Sequence, residues 1–542
     1  MTKLFKKDGI VLIILLILFS LYAAVFIYKT SFVIDGERYY CLFDDAMISM
    51  RYAQNMVDGN GLVMNPGERV EGYTNPLWVF YMAAAHLLPV SQAKISLIIQ
   101  ITGALFLLVN LVFVRKIALL VSNNSQRVAV ASIFLTAFYL PLINWGLQGM
   151  EVSIQTLIMS IAVWRTILAI RNGKFPLDVY FLLGINTFVR IDMAIPYLGI
   201  WIFLMAVMPG LRRKHLLWGG FILALFLGSQ TIFRLIYYGD LLPNTYYLKM
   251  TGYPILLRIT RGLYVWWNFI LGLNPLFFLV PVVALVLAYE QSRGLLALVV
   301  GLQMLYSIYV GGDAWDDMGG SNRYIAFVMP EFFVLLACGL SLIKNFITST
   351  VEKIRDFHNK AGRYILKYHF IFLIILGFIQ FNSNNGSLSL SGLAFIRLPM
   401  HVEQNRESVE RALLMKRITT PDARIAITWA GAFPYFSERL TVDILGKNDR
   451  TIARTKMRTG SGWQKLTFFH PGHLKYDPAY SFGELKPDAV IQFWGELEES
   501  EPYIYGKYTN LVVNDRIYYL RDGSEKIIWN KFMTKTPAEE TQ

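Results

Sequence analysis

Two adjacent carboxylates, Asp44 and Asp45, stand at the head of "DDAMISMRYAQNMVDGNGLVMNPGERVEGYTNPLW", directly after the first long apolar run. A carboxylate beside a reacting hydroxyl can take its proton, and a neighbouring carboxylate can orient that base. The same stretch carries Asp58, Glu68, Glu71, Tyr73 and Asn75. Both aspartates also precede a helical run, Ala46–Val57, so the competing reading is a helix cap whose charge suits the N-terminal dipole. Neighbours on a helix point about 100° apart, so a single cavity takes at most one of them.

Four further segments concentrate polar and ionisable groups: Gly149–Glu151, Arg190–Asp192, Asp240–Lys249 and Gly311–Arg323. Such groups at the ends of membrane spans are costly, which makes them functional candidates. Glu151 heads an apolar run and by spacing alone reads as a cap. Arg190 and Asp192 are placed to pair across a tight turn, and Arg190 equally suits a charge-assisted contact to phosphate. Asn244, Tyr246, Tyr247 and Lys249 have the make-up of an interfacial aromatic belt. Asp313, Asp316 and Asp317 offer oxygen ligands for a divalent cation, but without the calcium-loop spacing they read as solvated loop charges. His470 and His473, with Pro471 between them, read as a folded turn rather than a metal pair. Walker, GxSxG and HExxH motifs are absent from the sequence. Its two cysteines, Cys41 and Cys338, make a disulfide framework or thiolate metal site improbable.

The elements that must hold these groups are membrane helices. Of 542 residues, 55% are hydrophobic and only 16% charged, against about 25% charged in soluble domains. Apolar runs near bilayer-crossing length recur along the chain. The net charge of +13 sits largely in short loops between those runs, as the positive-inside rule expects, which argues against a nucleic-acid partner. The N-terminal run is too long for a signal peptide and lacks a cleavage motif, so it is a retained span. Lys3, Lys6 and Lys7 place the N-terminus in the cytoplasm. About eleven spans follow from the runs and their basic flanks, with a first outer loop at 30–93 and a short interfacial or re-entrant segment at 75–90. All five polar segments then fall on the outer side, where they imply a cavity near the lipid headgroups.

From about residue 383 the composition becomes that of a soluble domain, continuing to 542. The spacing predicts an amphipathic helix over 401–418 and strands in "ARIAIT", "LTVDILG", "DAVIQFW" and "YTNLVVNDRIYYLRD". The chain thus divides into a membrane part, 1–382, and an exported mixed α/β domain, 383–542.

The stretch beginning "DDAMISMRYAQNM" resembles, nearly position for position, the first outer loop of a bacterial GT-C glycosyltransferase family. That family includes the terminal arabinofuranosyltransferases of mycobacterial cell-wall assembly. "YYGDLLPNTYYLK", "YVGGD…RY", "AGAFPYFSERLTVDILGKNDRTIAR" and "PGHLKYD" resemble its later motifs in the same order. The resemblance implies a polytopic helical enzyme of the plasma membrane. Its donor would be a sugar on a polyprenyl monophosphate and its acceptor an envelope glycan, with inversion at the anomeric carbon. It places a catalytic base at Asp44 or Asp45, here Asp44 with Asp45 orienting it. By charge and sidedness, Arg190, Lys249 and Arg323 are candidates for the donor phosphate. Glu71, Tyr73, Asn75, Glu151, Asp192, Asn244, Tyr246 and Asp313 are candidates for the substrate cavity. A divalent cation is a possible cofactor and membrane lipids are partners. Two other classes fit a polytopic chain: a lipid-linked-sugar flippase, which should place its polar groups near mid-bilayer on internal repeats, and an inactive scaffold carrying a glycan-binding domain.

Overall fold

The computed structural model describes residues 7–316, 321–353, 360–383 and 388–531. Lys3, Lys6 and Asp317 lie outside the described residues. The chain opens with α1 (Lys7–Lys29), a hairpin of β1 (Ser31–Ile34) and β2 (Glu37–Tyr40), and α2 (Asp44–Val57). Then come α3 (Pro76–His86), α4 (Gln92–Val121), α5 (Gln126–Ala137), α6 (Leu140–Leu147), α7 (Val152–Asn172), α8 (Leu177–Val189) and α9 (Ala194–Val207). Helices follow over Pro209–Tyr238, Asn244–Met250, Ile255–Gly272, Pro275–Leu287, Gln291–Val310, Met329–Lys353 and Lys360–Phe381.

This is a multi-pass membrane protein. Among the described residues, six helices are long and apolar enough to cross a bilayer, and two bent helix pairs make eight. Three shorter apolar helices, Leu177–Val189, Ile191–Val207 and Tyr368–Phe381, occupy the other three of the eleven runs expected as spans. With 11 residues, α3 rises only about 16 Å and is too short to cross.

Two expected spans are not single rods. The run at 127–145 is α5 and α6, bent by 53°. The run at 266–289 belongs to Ile255–Gly272 and Pro275–Leu287, which meet at 92°. Asn274 explains that corner: it precedes Pro275, whose ring disfavours helical backbone before it. It takes φ +67 and its side chain accepts the N–H of Leu276, capping the next helix.

The C-terminal part carries a helix over Val402–Ile418 and a five-stranded sheet. Its strands are β3 (Arg424–Ile427), β4 (Leu440–Asp443), β5 (Ala489–Val490), β6 (Tyr508–Val513) and β7 (Arg516–Arg521), in the order β4-β3-β5-β7-β6. β3 pairs in parallel with β4 and β5, while β7 runs antiparallel to β5 and β6. The strand-like stretch at 508–522 is a hairpin of two strands. It turns at Asn514 and Asp515, both at positive φ (51° and 58°), the backbone that a two-residue hairpin turn requires.

The C-terminal sheet domain is seated directly on α2. A β-carbon at Gly431 would lie 1.9 Å from the Asp44 carbonyl oxygen, and one at Gly72 would lie 1.9 Å from Asn448 Oδ1. Gly431→Ala is therefore expected to destabilise the protein by about 1–3 kcal/mol through overpacking. Gly301→Ala, inside the helix Gln291–Val310 and meeting nothing within 4 Å, is expected to raise stability by up to about 1 kcal/mol. Denaturation in detergent micelles compares the two.

Candidate active site

α2 carries the two aspartates into a region where the polar loops meet. Phe43 occupies its N-cap position and no side chain caps the helix, so neither aspartate performs the capping role. From Ala46 to Asn55 every residue is buried, and the two carboxylates at the head of the helix meet different partners.

Asp45 faces a cavity of about 330 Å³. Its Oδ1 accepts from Lys447 Nζ at 2.6 Å and its Oδ2 from Arg323 Nη1 at 2.8 Å. Arg323 is locked in turn by Asp313, to which Nε and Nη2 donate at 2.7 and 2.9 Å. Burial alone would raise the Asp45 carboxyl, but Lys447, Arg323 and Lys249 outweigh it and hold the group well below the ordinary carboxylate range. Asp45 thus lines the cavity as a carboxylate paired with two cations.

Asp44 points the other way, into the C-terminal domain. Its Oδ1 accepts the backbone N–H groups of Gly431 and Ala432 at 3.1 and 3.0 Å, and its Oδ2 is buried without a partner among the described residues. Burial pushes its carboxyl up to about 6, against the pull of Lys447 and of the Ala432 N–H. Asp44 does not line the cavity. The 100° step along α2 thus presents Asp45, not Asp44, to the cavity.

Lys249 enters the cavity wall from the helix Asn244–Met250. Among the described residues its ammonium has no hydrogen-bond or ion-pair partner. Burial and the nearby Arg323 lower it to about 8, while Asp45 pulls it back up. A cation held in a cavity without a counter-ion is suited to receive an anion.

On the opposite wall the polar groups are already paired. Ser49 donates to Asn75 at 2.9 Å, Asn75 donates to Glu151 at 3.0 Å, and Arg190 donates to Glu151 at 3.1 Å and Asp192 at 3.0 Å. The Arg190 guanidinium also lies 5.0 Å over the Tyr324 ring. Arg190, expected as a phosphate ligand, is therefore committed to two carboxylates, and Glu151 ties α7 to α3 rather than capping its own helix.

Asp45, Tyr73, Asn75, Glu151, Arg190, Asp192, Tyr246, Lys249 and Arg323 all line this cavity. Asp44, Glu71, Asn244 and Asp313, expected with them, stand behind its wall. Glu71 forms a two-pronged ion pair with Arg234, which satisfies its charge away from the cavity. Asn244 donates to the carbonyls of Gly446, Lys447 and Asp449 at 3.0, 3.0 and 3.1 Å. Asp313 is turned inward by Arg323. For a divalent cation, Asp313 and Asp316 are taken up by Arg323 and Arg261. Among the described residues, no group of three His, Cys, Asp or Glu side chains is arranged to hold a metal ion. The His470–His473 segment is a turn, with His473 N–H donating to the His470 carbonyl at 3.1 Å.

Sequence reasoning missed Lys447, together with Ser49, Thr245, Tyr306 and Tyr309 on the cavity wall. Lys447 had a usable signal: it stands in "LTVDILGKNDR", where Gly446 at φ +74 turns the chain after β4. The aromatic residues lie in apolar helical stretches that carry no mark of a cavity.

The profile of a family described as a domain of unknown function (DUF8728) matches residues 395–518. A terminal β-(1→2)-arabinofuranosyltransferase of Mycobacterium tuberculosis is 24% identical over 370 residues, covering 60% of this chain and 55% of that relative. The chain thus spans about half the length of the curated relative it matches. ArnT from Cupriavidus metallidurans, solved bound to undecaprenyl phosphate, superposes with a TM-score of 0.55 at 11% identity, covering 95% of this chain and 98% of that one. The oligosaccharyltransferase of Archaeoglobus fulgidus in its apo form superposes at 0.51 with 11% identity, over 97% of this chain and 76% of that one. The same enzyme tethered to an acceptor peptide superposes at 0.52 with 12% identity, over 95% and 74%. The chain has the GT-C fold of membrane glycosyltransferases, with a sheet-containing domain at its C-terminal end.

Proposed function

We propose that this chain is an inverting glycosyltransferase that moves a sugar from a polyprenyl monophosphate to an envelope glycan or lipid-linked acceptor. The observation that carries the reading is one cavity holding the Asp45 carboxylate beside the Lys249 ammonium, unpaired among the described residues, and a fixed guanidinium, Arg323. The fold shared with ArnT and its bound undecaprenyl phosphate supports a polyprenyl-phosphate ligand, and the arabinofuranosyltransferase relative supports sugar transfer.

The chemistry follows from that arrangement. Asp45 takes the proton of the acceptor hydroxyl as its oxygen bonds to the anomeric carbon. The bond from that carbon to the phosphate oxygen breaks, and its electron pair leaves with the polyprenyl phosphate. Lys249, whose ammonium is unpaired among the described residues, stabilises the charge on the departing phosphate, so no proton donor is needed there. Asp313 keeps the Arg323 fork in place throughout.

The test is purified protein in nanodiscs with a panel of undecaprenyl and decaprenyl monophosphate pentoses and hexoses plus envelope-glycan acceptors. Transfer with inverted anomeric configuration is expected for one donor class. Passage of lipid-linked sugar across a vesicle without transfer would overturn the reading in favour of a flippase. Binding of glycan alone would leave only a scaffold.

The same reading sets the site on the outer face of a bacterial plasma membrane, with the N-terminus cytoplasmic. The basic flanks of the spans support this. Tyr505, 88% exposed on the C-terminal domain, is a test position because both native cysteines are buried. Tyr505→Cys in intact spheroplasts is expected to react with a membrane-impermeant maleimide. Reaction only after lysis would reverse the topology.

A further inference from the structure

The C-terminal domain matched to a family of unknown function is far from α2 in sequence but reaches into the cavity. Lys447 and Pro471 both line it. Lys447 is 5% exposed and its Nζ donates to Asp45 at 2.6 Å. The loop that carries it is built rather than draped. Asn244 of the membrane part holds three of its carbonyls. Asp443 holds it from below, accepting the Asn448 N–H at 2.8 Å, its side-chain amide at 3.0 Å, and the N–H groups of Leu445 and Gly446 at 3.1 Å. Tyr52 of α2 also reaches Asn448, at 3.1 Å. Such a set of bonds fixes one lysine against one carboxylate across two parts of the chain.

We infer that the C-terminal domain is a working part of the active site, and that Lys447 is the positioning residue that keeps Asp45 oriented and electrically tolerable beside a bound phosphate. The inference rests on the proposed polyprenyl-phosphate site and deepens it. Without Lys447, the Asp45 charge would repel the incoming phosphate, with Arg323 as its one hydrogen-bonded cation. With Lys447, the pair is neutral and the remaining positive charge of Lys249 is left for the ligand. The domain therefore acts as more than a lid or a glycan-binding appendage.

Full-length protein in nanodiscs, titrated with undecaprenyl phosphate alone, tests this. Lys447→Met is expected to weaken binding by tenfold or more. Lys447→Arg, which restores the charge, is expected to bind within about threefold of the natural protein, a rescue that loss of packing alone would not allow. Because Lys447→Met leaves a buried anion less well paired, the double change Asp45→Asn with Lys447→Met is the second arm. It removes both charges and is expected to recover most of the lost affinity. If the natural protein binds and Lys447→Met binds equally well, the inference is overturned while the phosphate site stands. An unrecovered double variant likewise overturns it. If the natural protein does not bind undecaprenyl phosphate, the proposed function fails and takes this role with it.

Discussion

Replacing Asp45 by Asn is expected to lower turnover in sugar transfer by about a thousand-fold, within the range for loss of a general base. Binding of the lipid phosphate should not weaken, because the change removes a negative charge beside it while an amide of the same shape still reaches Arg323. Asp45 is already ionised well below the ordinary carboxylate range, so the natural enzyme should show no loss of this base on mild acidification. The contrast with Asp44 makes the result specific. Asp44→Asn keeps the oxygen that accepts from Gly431 and Ala432 and discards a buried charge, so transfer within tenfold of the natural rate is expected. Asp44→Ala strands those two N–H groups at about 1–3 kcal/mol each. It should fail by unfolding rather than by catalysis. Initial rates at saturating donor, with melting curves for all three variants, separate the effects. An inactive but folded Asp44→Asn beside an active Asp45→Asn would return the base to Asp44.

What could be read in advance divides by range of interaction. The spans were legible because a bilayer imposes long apolar runs and the basic flanks mark their ends. The α/β character of the C-terminal part was legible from strand-like runs and an amphipathic helix. The 92° corner at Asn274 was hidden inside continuous hydropathy, although Asn-Pro was a usable sign of it. That one aspartate faces the cavity follows from helix geometry, but which one does not. It depends on where Gly431 and Lys447 land, and only the folded contact between the two parts of the chain settles it. Glu71 and Glu151 show the same limit. Each has the residue type of a site carboxylate, yet Arg234 and Arg190 pair with them from distant helices. Among the described residues it is pairing, not charge itself, that separates Arg190 from Lys249, and pairing is invisible along the sequence.

Lys249→Met is accordingly expected to weaken undecaprenyl phosphate binding by about 10- to 100-fold, the worth of one hydrogen bond to a charged group at about 1.5–3 kcal/mol. The sign of its pH dependence can be worked out. Burial and Arg323 bring the ammonium down to about 8, so in the empty site it is charged below that pH and neutral above it. A bound phosphate favours the charged form, so affinity in the natural protein should fall as pH rises through 8 and beyond. Lys249→Arg, charged throughout, should remove that decline, and Lys249→Met should be weak on both sides of it. Comparing each variant with the natural protein at the same pH cancels the ligand's own titration. Arg190→Met provides the counter-test. It breaks pairs with Glu151 and Asp192, so its effect should appear in stability, with no change in the pH dependence of binding. Should affinity in the natural protein stay flat through this range while Lys249→Met binds equally well, the phosphate would rest on Arg323 and Lys447, and Lys249 would be only a wall of the cavity.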